Sequence, residues 1–237
     1  MLKILAVLLG ALKFSKFIGT GGTMLLSVLL YSFIFGWPYA VGFVMLMFVH
    51  EMGHFIAAHR RGLEVGMPTF IPFIGAWVEL KTLPHNAETE AYVGLGGPLL
   101  GTAGALLCWL FANEYDSQLL LALAYSGCFL NLFNLIPISP FDGGRITAIL
   151  SPRIWLLGVP ILIGLFIWHP SPLLILMALM AAPKVIEAWQ GITTKEQEKY
   201  YDILLTTRIN YAIIYLSMVV FLALVTQSLY EQLPNGK

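Results

Sequence analysis

The chain has 237 residues, 58% of them hydrophobic and only 11% charged, and its 13 basic and 13 acidic side chains balance to a formal net charge of zero. Soluble domains are about 45–50% apolar and about 25% charged, so a mean hydropathy of +0.80 excludes an ordinary soluble domain and implies an integral, multi-pass membrane protein. The neutral balance gives no reason to expect a nucleic-acid partner; the expected surroundings are the lipid bilayer.

The start, Met1-Leu2-Lys3-Ile4 through Leu12, loosely resembles a signal peptide. Lys13 and Lys16 follow where a small-residue cleavage site belongs, so residues 1–12 read as a retained apolar segment lying in the membrane interface. About six spanning segments follow. They are Thr23–Phe35, Tyr39–Ala58, Ala91–Ala112, Leu119–Leu135, Ile154–Trp168 with Leu173–Ala182 as a paired return, and Ile209–Leu229. With the N-terminus in the cytoplasm, twelve of the 13 Lys and Arg residues fall inside and only Lys237 falls outside, which satisfies the positive-inside rule. The expected location is the cell membrane. Cys108 and Cys128 sit in apolar segments and read as small buried hydrophobes.

The second segment carries Phe48-Val49-His50-Glu51-Met52-Gly53-His54-Phe55, an HExxH motif inside an apolar run. Four residues apart on a helix, His50 and His54 project from one face and can share a metal ion, with Glu51 beside them to act as general base on a water held there. Ionisable groups set that deep in an apolar segment imply function. The charge bias places the motif near the cytoplasmic end of its helix.

Residues 63–86 contain Pro68, Pro72 and Pro84, which argue against a long helix. The alternation Ala76-Trp77-Val78-Glu79-Leu80-Lys81 predicts one strand of a short cytoplasmic β-hairpin dipping into the interface. In the third segment Gly94, Gly97, Gly101 and Gly104 share one helical face, a pattern read as close helix packing without catalytic meaning. The fourth segment ends in Asn131-Leu132-Phe133-Asn134-Leu135-Ile136-Pro137-Ile138-Ser139-Pro140-Phe141-Asp142-Gly143-Gly144-Arg145. Pro137 and Pro140 interrupt the helix, and unwound backbone at membrane depth needs protein or a water-filled cavity around it. No further motif follows Arg153, and residues 190–208 read as a solvated connection.

A catalytic zinc takes three protein ligands and keeps one open position. His50 and His54 supply two. His59 follows too closely without the spacing of a third ligand, and His85 and His169 fall in polar loops, so Asp142 is the strongest candidate for the third. The alternative for Asp142 is a turn-forming Asp-Gly. Asn131 and Asn134 can donate amide hydrogen bonds to a substrate carbonyl or developing oxyanion; the alternative for both is interhelical hydrogen bonding.

His50-Glu51-Met52-Gly53-His54, Gly96-Gly97-Pro98, and Asn134-Leu135-Ile136-Pro137 leading into Asp142-Gly143-Gly144-Arg145 occur in one order that resembles the site-2 protease family of intramembrane zinc metalloproteases. The resemblance covers roughly Tyr39 to Arg153. It implies a helical core with one zinc on His50, His54 and Asp142, Glu51 as the catalytic residue, and membrane-spanning segments of other proteins as substrates. It also implies that the strands between Leu63 and Lys81 pair with an extended substrate. The chain leaves no room for an inserted PDZ domain, and no CBS domain is expected after the core. The loop before Asp142 is longer than a bare Asn-Pro-Asp-Gly.

The expected fold is therefore an all-α polytopic membrane protein of about six transmembrane helices with a small membrane-associated β-hairpin. It forms a single domain over 1–237, with the catalytic core at about 39–153 and accessory helices at 1–36 and 154–237. The expected function is an intramembrane zinc metalloendopeptidase cutting transmembrane segments near the cytoplasmic face, in regulated proteolysis or clearance of membrane remnants. The competing reading is a catalytically idle membrane protein that holds partner helices in the same groove.

Overall fold

The computed structural model describes the backbone of residues 2–73 and 75–234, and the side chains of these apart from residues 2–18 and Trp77. The protein is mostly helical: α1 (Leu2–Phe35), α2 (Trp37–Arg60), α3 (Ala87–Tyr115), α4 (Gln118–Asn134), α5 (Asp142–Thr147), α6 (Gly158–Trp168), α7 (Pro172–Gln190), α8 (Lys195–Tyr200) and α9 (Leu205–Gln232). A two-stranded sheet, β1 (Thr69–Ile71) and β2 (Gly75–Trp77), stands between α2 and α3, and a 3-10 turn over Pro152–Leu157 precedes α6. Among the described residues, four helices, α2, α3, α7 and α9, are long and apolar enough to cross a membrane. Gly19–Phe35, Gln118–Asn134 and Pro152–Trp168 are apolar but shorter; 17 residues of α4 rise about 25 Å against the roughly 30 Å of a hydrocarbon core. The return expected to stop at Ala182 runs on to Gln190 through Pro183, which gives α7 the length of a full span. The expected interfacial placement of residues 1–12 concerns side chains outside those described.

Local chemistry sets the element ends. The α1 backbone breaks at Gly19 (φ 67°, ψ 178°), a conformation that L-residues rarely adopt. Helix α2 carries Pro38 in its first turn, where its missing N–H is one the helix leaves free anyway. Asn86 caps α3, its Oδ1 accepting from the Thr89 N–H at 2.8 Å, and Glu88 and Glu90 in the first turn favour the same end. Asp116, in the left-handed conformation, ends α3, and Ser117 caps α4. Pro137 and Pro140 then close α4.

The expected hairpin is present, with a feature the alternation did not show. Strands β1 and β2 pair antiparallel in the register Thr69↔Trp77, Phe70↔Ala76, Ile71↔Gly75. Beyond them the pairing resumes at Val65↔Leu80, where Gly66 N–H donates to Glu79 O and Lys81 N–H to Glu64 O, both at 2.8 Å. The second ladder is offset from the first by one residue, a bulge. Pro68, with no N–H to give, lies in that gap. The outer edge of β1 and the turn after it are tied to hydroxyls of α1: Phe70 N–H donates to Thr23 Oγ1 at 3.2 Å and, in the turn, Phe73 N–H to Tyr31 OH at 3.1 Å. Phe70 is buried against Tyr31, Ala40, Val44 and Met47, so the hairpin leans on the same helix that carries the HExxH motif.

Helix α3 is the centre of the fold, packing on α2, α4 and α5. Its contact with α2 is a backbone crossing: a Cβ on Gly53 would stand 2.1 Å from the Gly96 carbonyl oxygen, and one on Gly96 would stand 2.4 Å from that of Gly53. Only two glycines allow that approach. Helix α9 packs on α4 and α5, and its Tyr211, Tyr215 and Leu222 join the apolar cluster that includes residues of α3 and α4. Helices α6 and α7 form a second apolar cluster around Trp155, Leu162, Met177 and Ala181.

Candidate metal centre

His50 and His54 lie one turn apart on α2, past its midpoint and toward Arg60, and Asp142 opens α5 from the far side of the proline-broken loop. The three converge. His50 Nε2 and His54 Nε2 are 3.2 Å apart, and His50 Nε2 lies 3.1 Å from Asp142 Oδ2. His54 Nε2 lies 3.1 Å from Asp142 Oδ1. Among the described residues these form a group able to hold a metal ion. All three side chains and Glu51 are buried, with exposures of 4–7%.

The donor set fits zinc on two grounds. Metal–ligand bonds of about 2.0–2.2 Å in a tetrahedron place ligand atoms roughly 3.3 Å from one another, close to the separations found here. The ring orientation agrees as well. His54 Nδ1 lies 2.8 Å from the Val93 carbonyl oxygen, which can only accept, so Nδ1 carries the proton and Nε2 turns a lone pair toward the cluster. A buried pair of imidazole nitrogens facing a carboxylate at this range calls for a cation between them.

The loop that carries Asp142 is pinned by groups from later in the chain. Tyr215 OH on α9 donates to the Leu135 carbonyl at 2.7 Å, and Trp155 Nε1 donates to the Gly144 carbonyl at 2.8 Å. Thr147 Oγ1 donates to the Gly143 carbonyl at 2.7 Å. The Leu135 carbonyl, in the unwound stretch that follows α4, is thus satisfied inside the protein, and the Gly143 and Gly144 carbonyls of α5 gain side-chain donors. Nothing after Arg153 marks these roles in the sequence, because a lone Tyr in an apolar helix and a lone Trp carry no spacing signal.

The glycine face of α3 proves to adjoin the site. A Cβ at Gly97 would lie 2.2 Å from His54 Nε2 and 2.7 Å from His50 Nε2, so this glycine keeps clear the space beside both ligand atoms. The expectation of packing without chemical meaning holds for Gly104, whose nearest neighbours are Val49 and Leu46, and is corrected for Gly97. The Gly96-Gly97-Pro98 triplet was the signal available for it. Asn131 is buried against His50, its Oδ1 2.8 Å from Nδ1. Asn134 is partly exposed, its Nδ2 donating to the Leu130 carbonyl at 3.1 Å; the two asparagines do not share a partner. His59, His85 and His169 are exposed and lie outside the cluster.

Residues 38–115 match the model of Peptidase family M50. That stretch holds α2 and α3, hence His50, Glu51, His54 and Gly97; Asp142 lies beyond it. The chain is similar to Zinc metalloprotease MJ0392 of Methanocaldococcus jannaschii, 32% identical over 124 residues, 48% of this chain and 36% of that protein. It is also similar to the proteins named Probable zinc metalloprotease EGY1, chloroplastic, of Arabidopsis thaliana and of Oryza sativa subsp. japonica. The first is 35% identical over 81 residues, 32% of this chain and 15% of the relative; the second is 26% identical over 162 residues, 66% and 24%. The matched stretches span little more than a third of the relatives' own length at most.

Proposed function

Starting from a chain that the M50 match and its zinc-metalloprotease relatives support as a member of the site-2 protease family, we propose that it is an intramembrane zinc metalloendopeptidase. It hydrolyses peptide bonds in membrane-spanning segments of other proteins, near the cytoplasmic face of the cell membrane. The observation that carries this reading is the convergence of His50 and His54, on a helix apolar enough to span a bilayer, with Asp142 at the start of α5, all three buried together. One zinc per chain is held by His50 Nε2, His54 Nε2 and the Asp142 carboxylate.

A zinc held by His50, His54 and Asp142 would supply Lewis-acid chemistry, polarising a scissile carbonyl and lowering the pKa of a water to about 7. Glu51 Oε takes a proton from the attacking water and returns it to the leaving amide nitrogen. Its burial keeps bulk water from competing for that proton. The hairpin, resting on α1 and α2 beside the site, offers backbone groups of β2 to an extended substrate. Asn134, partly exposed, is available to substrate. The N-terminus is cytoplasmic, as the distribution of Lys and Arg favours, and about six spanning segments stand as part of this reading, with α6 and α7 as the paired return.

The test uses the purified full chain in liposomes with a model transmembrane substrate. Wild type is expected to carry stoichiometric zinc and to cleave; Glu51→Gln keeps the zinc and loses cleavage. Cleavage by Glu51→Gln at the wild-type rate would sink the assignment, and a wild-type chain without zinc or cleavage would favour the idle, helix-holding reading.

A further inference from the structure

Asn131 on α4 is almost completely buried, with 1% of its surface exposed. Its Nδ2 lies 2.7 Å from the Gly127 carbonyl oxygen one turn earlier. That oxygen can only accept, so the amide must present its NH2 group there and its Oδ1 to the other side. On that side is His50 Nδ1 at 2.8 Å. An amide oxygen also can only accept, so the His50 proton sits on Nδ1 and the lone pair sits on Nε2, the atom that faces His54 and Asp142. A second observation on a different helix agrees. A Cβ at Gly101 of α3 would lie 2.4 Å from Asn131 Oδ1 and 2.9 Å from its Nδ2, so α3 leaves at this level the gap that the amide occupies.

Accordingly, we infer that Asn131 is a positioning residue for His50: its side-chain oxygen fixes the ring orientation and tautomer with which His50 offers Nε2 to the metal. It does not contact substrate. The inference rests on the zinc reading above and extends it. His54 has the equivalent support from the Val93 carbonyl, a backbone group that mutation cannot remove, which leaves Asn131 as the support open to test. With its oxygen turned to His50 and one amide hydrogen to the Gly127 carbonyl, Asn131 acts in this reading through His50 and not as the donor to a substrate carbonyl expected from its spacing.

The experiment measures zinc affinity of the purified full chain by competition with a chromophoric chelator, and beside it KM and kcat on the transmembrane model substrate at saturating zinc. Asn131→Ala is expected to weaken zinc binding by about 10–100-fold, the usual effect of removing the partner of a metal-bound histidine, with KM unchanged. Asn131→Asp keeps an acceptor oxygen in the same place and is expected to hold zinc at least as tightly as wild type. Gly101→Ala, which crowds the amide from the opposite helix, is expected to weaken zinc with Asn131 intact. Wild-type zinc affinity in Asn131→Ala, or equal losses in the Ala and Asp variants, would overturn the inference. So would a rise in KM with zinc affinity unchanged, the signature of a substrate contact. A wild-type chain that binds no zinc would overturn this inference together with the reading beneath it; normal zinc in wild type with any of the other results would overturn this one alone.

Discussion

Replacing Gly97 by alanine adds one methyl group at the most consequential point of α3. The new Cβ would stand 2.2 Å from His54 Nε2 and 2.7 Å from His50 Nε2, and the first is roughly 1.2 Å short of an ordinary contact. Two movements can relieve it. Lifting α3 away opens the Gly53–Gly96 crossing and loses the packing of the closest helix pair, at about 1–3 kcal/mol for an overpacked core. Rotating the imidazole instead carries Nε2 by about an ångström, several times the roughly 0.2 Å tolerance of a metal–ligand bond. Either way zinc affinity falls by at least 100-fold, about 2.7 kcal/mol. The assay is chelator competition and zinc content of the purified protein, beside a thermal melt. Gly104→Ala is the control within the same helical face: its Cβ would meet Val49 at 3.3 Å and Leu46 at 3.4 Å, far ends of apolar side chains that can shift. It is expected to keep wild-type zinc binding. Full zinc affinity in Gly97→Ala, or equal losses in both variants, would refute the reasoning.

Asp142→Ala is expected to purify with well under one zinc per chain while its helices still form, read by metal analysis beside circular dichroism; full stoichiometry would remove Asp142 from the ligand set. Adding 1,10-phenanthroline to the wild type should stop cleavage of the model substrate and added zinc should restore it, whereas cleavage that ignores the chelator would point to another chemistry. Tyr215→Phe leaves the buried Leu135 carbonyl without its donor; a loss of about 1–3 kcal/mol should lower the melting temperature and loosen zinc together, and a variant that melts and binds as wild type would show that α9 does not hold the Asp142 loop. Thr23→Val frees the Phe70 N–H, so hydrogen exchange there should quicken by roughly threefold to tenfold, with exchange in α3 unaltered; unchanged exchange at Phe70 would mean that α1 does not close the edge of β1.

Much of the site could be read before any fold was known, because its first half is local. His50, Glu51 and His54 fall within five residues of one helix, where the period of 3.6 alone brings the two imidazoles to one face. The hairpin was legible in the alternation around Ala76–Lys81, although its one-residue offset was not, since that depends on which residues across the gap find partners. Asp142 was reachable through the prolines that break its segment and through the family resemblance; its approach to 3.1 Å from both histidines rests on packing between helices 92 and 88 residues apart in sequence.

The rest had no local signature. Gly97 and Gly104 are equivalent by spacing, and only the position of α2 across α3 makes one a neighbour of the ligand atoms and the other a plain packing contact. Asn131 and Asn134 looked like a pair on one face; the fold buries the first against His50 and leaves the second partly exposed. Tyr215 and Trp155, anonymous in apolar runs, reach back to the Leu135 and Gly144 carbonyls on either side of the proline-broken loop. Periodicity and composition thus settle which residue types share a face and that the helix carrying it is apolar enough to cross a membrane, because both are properties of the chain itself. Which faces meet, and hence which atoms surround a metal, depends on close-packed helix crossings where tenths of an ångström separate contact from clash, and those distances belong to the assembled bundle.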